Sequence, residues 1–232
     1  MPRLFVAIDL PPDIKLSLAR LCTDLPRVRW VAADNFHLTL RFIGEADDAT
    51  AAVIAAALRQ IEAPRFWLAL AGVGQFGGHT LWVGVAPDPA LAQLQSDIEN
   101  RLQGIVPAAD ARPYRPHVKL AHSRRRRSFR SFLDEHAGFG AGPFEVTEFS
   151  LIESHLSESG PIYEHRADYA LLASREIVPE ALVHRLSQMI HAPHCSSCPD
   201  LIRASTETGT PVRLGEDGRE KPGHADESWV CV

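Results

Sequence analysis

The stretch Phe36-His37-Leu38-Thr39-Leu40-Arg41-Phe42-Ile43-Gly44 constrains this chain most, because it alternates with a period of two. Successive strand side chains point to opposite faces. The period therefore predicts Leu38, Leu40 and Phe42 toward a core, with His37, Thr39 and Arg41 on the other side. An imidazole, a hydroxyl and a guanidinium in one row suit the holding of a phosphate. Eighty residues on, Arg115-Pro116-His117-Val118-Lys119-Leu120-Ala121-His122 repeats the design. There Arg115, His117 and Lys119 share one face, and Val118 and Leu120 take the other. Two such strands point to a built site.

The surrounding pattern is itself repeated. A strand is expected over 3–10, and Pro11-Pro12-Asp13 opens a helix with Ile14, Leu18, Leu21, Cys22 and Leu25 at helical spacing. An Ala-rich helix after the first His strand turns Val53, Ile54, Ala57, Leu58 and Ile61 inward. Strands over 66–70 and 80–85 follow, joined by the Gly-rich stretch 72–78. That stretch links strand to strand, so no helix N-terminus awaits an anion and a hairpin loop is expected. Beyond it come a helix over 89–104, the second His strand, a short helix over 128–136, and strands over 144–153 and 163–173. The order helix, His strand, helix, strand, strand thus occurs twice, with the break near residue 86. Such a repeat predicts two similar lobes, each giving one His strand to a shared cleft.

Composition narrows the class. At 232 residues and 45% apolar content the chain can bury a real core, and its net charge of −5 does not announce a nucleic-acid binder. Any RNA contact must come from a local basic patch. No apolar run approaches membrane-spanning length and no leader is evident, so a soluble cytoplasmic protein is expected, working as a monomer away from membranes. Four sparse cysteines do not make a disulfide framework.

The two histidines carry the chemistry. In-line cleavage of a phosphoester takes a proton from the attacking oxygen and gives one to the departing oxygen on the far side of phosphorus. Two groups on opposite walls of a cleft suit that task. Imidazole titrates near neutrality and serves as acid or base. Thr39, Lys119, Arg41 and Arg115 beside them are the candidate phosphate-binding groups. No clustered carboxylates accompany the pair, so a two-metal mechanism is not expected, nor any cofactor.

These residues also carry a family likeness. The segments 3–11, 35–45, 81–84, 112–121 and 148–151 resemble, in order, the RNA 2′,3′-cyclic phosphodiesterases of the 2H phosphoesterase superfamily, the bacterial enzymes also called 2′-5′ RNA ligases. The resemblance implies a duplicated, bilobal α+β fold over 1–173, with two antiparallel sheets flanking a central cleft and helices outside. It implies metal-independent opening of a terminal 2′,3′-cyclic phosphate on RNA to a 2′-phosphate, and weak reverse 2′-5′ joining in some members. In that picture His37 is the general acid, His117 the general base, and Thr39 and position 119 bind the phosphate. The family pattern has Thr or Ser where this chain has Lys119, and commonly Arg where it has His122. A cation two residues from His117 is expected to lower the imidazole's pKa and favour the base role. Two rival readings remain: a relative acting on a small cyclic nucleotide, and a non-catalytic module that binds phosphate or RNA ends.

Secondary signals complete the reading. Arg124 and Arg125, in the run 124–127, are candidates for the RNA backbone. Tyr114 is the favoured base-stacking candidate over Trp82 and Phe42. The extension 174–232 is expected to form a helix over 176–190 and then a flexible polar tail. Within that tail Cys195 and Cys198, beside His191 and His194, form a weak zinc pattern, because structural sites draw ligand pairs from separated segments.

Overall fold

The computed structural model of the protein describes residues 3–23, 25–108, 112–157 and 160–173. The extension 174–232, with its expected helix and with Cys195 and Cys198, lies outside them. Among the described residues the order is β1 (Arg3–Asp9), α1 (Pro12–Ala19), β2 (Arg29–Trp30), β3 (His37–Glu45), α2 (Asp48–Leu58), β4 (Phe66–Phe76), β5 (Thr80–Val85), α3 (Pro89–Leu102), β6 (His117–His122), α4 (Arg130–Glu135), β7 (Gly140–Val146), β8 (Glu148–Ser157) and β9 (Gly160–Ala170). No helix among them is long and apolar enough to cross a membrane.

The described strands lie in one antiparallel sheet of order β7-β4-β5-β6-β3-β1-β8-β9, with β2 also paired to β6. Two four-stranded halves meet at the β3–β6 seam, where Leu38 pairs with Val118. The expected α+β duplication is present, with its two sheets continuous through that seam. The repeat boundary is not near residue 86, however. β1 is flanked by β3 and β8, and β5 is flanked by β6 and β4, so β5 opens the second repeat. β4 of the first repeat and β8 of the second each cross into the other half. The β4–β5 hairpin disguises this, because a tight turn joins two strands that belong to different repeats.

Local chemistry explains the helices. Asp47 caps α2 by accepting from the Thr50 N–H (2.8 Å), and Asp88 caps α3 by accepting from Leu91 N–H (2.9 Å) ahead of Pro89. One core takes the apolar stripes of every helix: Ile14 and Leu18, Ile54 and Leu58, Leu94 and Ile98, and Phe132. These pack on Leu4, Val6, Ile8, Leu38, Leu81, Val83 and Val118 of the sheet. At roughly 25 cal/mol per Å² this burial is the main stabilising term. The opposite face of the sheet is left for the site.

Three sequence expectations are corrected. The Gly-rich stretch is mostly strand, since β4 runs to Phe76 and only residues 77–79 turn. The run 144–153 is two strands, β7 and β8, which lie on opposite halves of the sheet. Val53 faces solvent rather than the core.

Candidate active site

Two matched β-bulges shape the site. Along β1–β3, Ala7 pairs with Thr39 and Val6 with Arg41, leaving Leu40 as an extra residue. Along β5–β6, Trp82 pairs with Lys119 and Leu81 with Ala121, leaving Leu120 extra. Each bulge falls three residues after its histidine and turns two consecutive side chains to the core. In β6 these are Leu120 and Ala121; in β3 they are Leu40 and Arg41.

Arg41 is therefore not a phosphate ligand on the His37 face. It is only 9% exposed, donates from Nη2 to Pro107 O (2.6 Å) and pairs with Glu99 of α3 (3.3 Å). Phe42, expected in the core, returns to the site face instead. It is 43% exposed and stacks on the buried Phe5 ring at 5.8 Å.

The seam sets the central quartet. Leu38 opposite Val118 in an antiparallel pair sets His37 across from Lys119 and Thr39 across from His117. Lys119 also stands two residues from His117 on the same face. One cation thus adjoins both imidazoles.

The histidines are held alike. His37 Nδ1–H donates to Asn35 O (2.8 Å) and His117 Nδ1–H to Arg115 O (2.7 Å), each to the carbonyl two residues before it. A carbonyl only accepts, so Nδ1 carries the proton and Nε2 keeps the lone pair. Aromatic rings brace both. Phe5 (4.9 Å) and Tyr163 (5.2 Å, edge-on) contact His37, and Phe76 (5.0 Å, edge-on) and Trp82 (6.3 Å) contact His117. Burial among these rings pushes His37 down to about 4, with the Lys119 charge acting in the same direction. Burial, then Lys119, also lowers His117. Both imidazoles are neutral at pH 7 in the free protein.

The other candidates divide. Thr39 and Lys119 join the histidines on one face. Arg115 precedes the strand with an exposed side chain, and its contribution here is the carbonyl that orients His117. Tyr114 is not an open stacking face, because it packs against the core and its hydroxyl donates to Thr39 O (3.0 Å), tying the segment before β6 to β3. Arg124 and Arg125 are exposed beyond the end of β6. The brace formed by Phe5, Phe76 and Tyr163 was not foreseen.

A family model for the 2′-5′ RNA ligase superfamily matches residues 20–158. The chain belongs to that superfamily. Among similar proteins in the superfamily is the RNA 2′,3′-cyclic phosphodiesterase of Escherichia coli, 31% identical over 174 residues, covering 73% of this chain and 96% of that protein. Another is the RNA 2′,3′-cyclic phosphodiesterase of Geobacillus stearothermophilus, 29% identical over 73% of this chain. The chain spans 57% of that relative's length. The crystal structure of E. coli LigT complexed with 3′-AMP superposes with a TM-score of 0.63 at 28% identity, covering 74% of this chain and 99% of that one.

Proposed function

We propose that the protein hydrolyses 2′,3′-cyclic phosphate ends of RNA to 2′-phosphates, with His117 as general base and His37 as general acid. One observation carries the reading. Two neutral imidazoles, fixed through Nδ1 by equivalent carbonyls, flank a shared cation on one face of the sheet. The relatives' activity and the family membership point the same way.

Water attacks phosphorus as His117 Nε2 takes its proton, and the bond from phosphorus to the 3′ oxygen breaks as His37 gives that oxygen a proton. Lys119 and Thr39 hold the non-bridging oxygens, Lys119 through a charge-assisted hydrogen bond. The free protein holds His37 neutral. The arriving phosphodiester anion offsets the Lys119 charge and lets His37 take up the proton it must donate. Phe42, exposed on the same face, offers its ring to the base of the terminal nucleoside.

The test is hydrolysis of a short RNA ending in a 2′,3′-cyclic phosphate, in EDTA, by wild type, His37→Ala and His117→Ala. Wild type should yield the 2′-phosphate, and each variant should lose about 10²–10⁴-fold in rate. Binding of that RNA without turnover would replace this reading with the non-catalytic module.

A further inference from the structure

We propose that Asn35 is a positioning residue for His37, tying the carbonyl that anchors the imidazole to the β8–β9 hairpin, which lies back across the site face and covers the general acid. The proposal rests on the function proposed above and names what holds its acid in place.

Asn35 is used twice. Its carbonyl accepts from His37 Nδ1–H (2.8 Å), and its own Nδ2–H donates to Pro161 O (3.0 Å), 126 residues away in β9. Two residues on, Tyr163 meets the His37 ring edge-on at 5.2 Å and the Phe5 ring at 5.2 Å. The turn that presents Asn35 is fixed on both sides, because Lys15 Nζ donates to Asp34 O (3.1 Å) and Phe36 is buried in the core. The His37 ring is thus held through a nitrogen on one side and by an aromatic edge on another. One side chain, Asn35, joins the two supports.

Register shows how far the hairpin travels to do this. His37 lies opposite Asp9, whereas Tyr163 pairs with Ser154, which lies opposite Arg3. In a flat sheet the six steps from Arg3 to Asp9 would separate those rows by about 20 Å. Ring contact between them means that β8 and β9 coil back over the sheet. A third bulge sharpens the coil: Leu151 pairs with Ala167 and Ile152 with His165, leaving Arg166 extra. Arg166 fastens the bend by pairing with the buried Glu153 (3.0 Å) and with Asp48 at the start of α2 (3.3 Å). Phe5 and Ala7, which the register puts on the site face, are accordingly buried.

The other half is built differently. β7, the counterpart of β9, pairs with β4 only over residues 66–71, so among the described residues no third strand accompanies Gly74 and Phe76. Arg115, the counterpart of Asn35, has an exposed side chain. The cover therefore lies on the wall that must deliver a proton, and not on the wall that must admit water. The groups facing His37 are Asp9 from β1, itself paired with Lys15 (2.7 Å), Lys119 and His117 from β6, and Tyr163 from β9. Burial is the largest influence lowering the imidazole, so uncovering it must raise its pKa.

The experiment follows His37 in wild type, Asn35→Ala, Tyr163→Leu and the double variant. Proton–nitrogen NMR of the imidazole across pH is combined with pH profiles of kcat and KM on an RNA ending in a 2′,3′-cyclic phosphate. Each single variant should raise the His37 pKa and move the basic limb of kcat to higher pH. The kcat plateau should fall about 10-fold, with KM within about twofold of wild type. The double variant should do little more than either one, because both act through one support. Tyr163→Leu leaves Asn35 in place and keeps the test sound if Asn35→Ala folds poorly. An unmoved His37 titration, an unchanged kcat plateau or additive effects of the two substitutions would overturn the tie. No turnover by wild type would instead sink the proposed function. The NMR titration would then decide the tie, upheld if both single variants raise His37 and rejected if either leaves it unmoved.

Discussion

Leu38 faces Val118 across the seam between the two halves of the sheet, and through that pairing Lys119 adjoins both His37 and His117. A cation so placed depresses both imidazoles and, in the proposed reaction, would also grip the phosphate between them. Its two effects separate experimentally, because only one of them has a pH signature.

Replacing Lys119 with Thr removes a charge that lowers both His37 and His117. Both should then take up protons at higher pH. The base must be neutral to accept a proton, so the acid limb of the kcat/KM profile should move to higher pH in Lys119→Thr. Profiles of the two proteins with a cyclic-phosphate substrate check this. Coincident acid limbs would mean that Lys119 acts on the phosphate alone.

His37 also links pH to stability. Its imidazole titrates at 6.5 when unperturbed and at about 4 in the folded protein, so between those values the unfolded chain binds more protons. The contribution is whole above pH 6.5 and is lost as pH falls to 4, at a cost of about 3 kcal/mol. Asn at position 37 keeps a donor for Asn35 O but does not titrate. Urea denaturation at pH 7 and pH 4 should show His37→Asn losing less stability on acidification than wild type. Equal losses would place the acid sensitivity elsewhere.

Arg41 should matter to folding and not to chemistry. Its guanidinium joins β3 to Glu99 of α3 and to Pro107 O from a nearly buried position. Arg41→Ala leaves both acceptors without it and should cost about 2–3 kcal/mol by denaturation. The kcat of the folded fraction should stay within about twofold of wild type, where loss of a transition-state ligand costs about 10²-fold or more.

Much of this was legible in the chain, and Arg41 shows where legibility stops. Period-two alternation marks β3 and β6, where burial on one face is a local property of the strand, while a continuous apolar run, buried from Leu4 to Ile8, marks β1. The two histidines, Thr39 and Lys119 are legible for the same reason. A bulge leaves little trace, since Leu40-Arg41 still reads as one step of the alternation. Leu120-Ala121, two apolar neighbours, is the only hint. The β7–β8 boundary is hidden because alternation runs on through Thr147, although the two strands then part to different halves of the sheet. Tyr114 was misread because its partner is a main-chain carbonyl 75 residues away.

That partner predicts a positioning role for Tyr114. Its hydroxyl holds Thr39 O, and so the face on which Thr39 and His117 adjoin. Tyr114→Phe removes one neutral hydrogen bond and should cost about 1 kcal/mol of stability. If Tyr114 positions Thr39, kcat should fall with little change in KM. If it stacks on a base, Phe would preserve both constants.

Gly74 tests whether the ring packing at His117 supports catalysis. It pairs with Trp82, and the indole lies flat over the glycine because no side chain intervenes. A Cβ at position 74 would fall 2.1 Å from that ring, so Gly74→Ala must push the indole away. Trp82 packs against Phe76 (5.2 Å) and contacts His117, hence the displacement should open the site to water. Better solvation relieves the burial that lowers His117, whose pKa should rise. The expected result is a shift in tryptophan emission together with an acid limb moved to higher pH. Changed emission with an unmoved limb would show that Trp82 fills space beside His117 without tuning it.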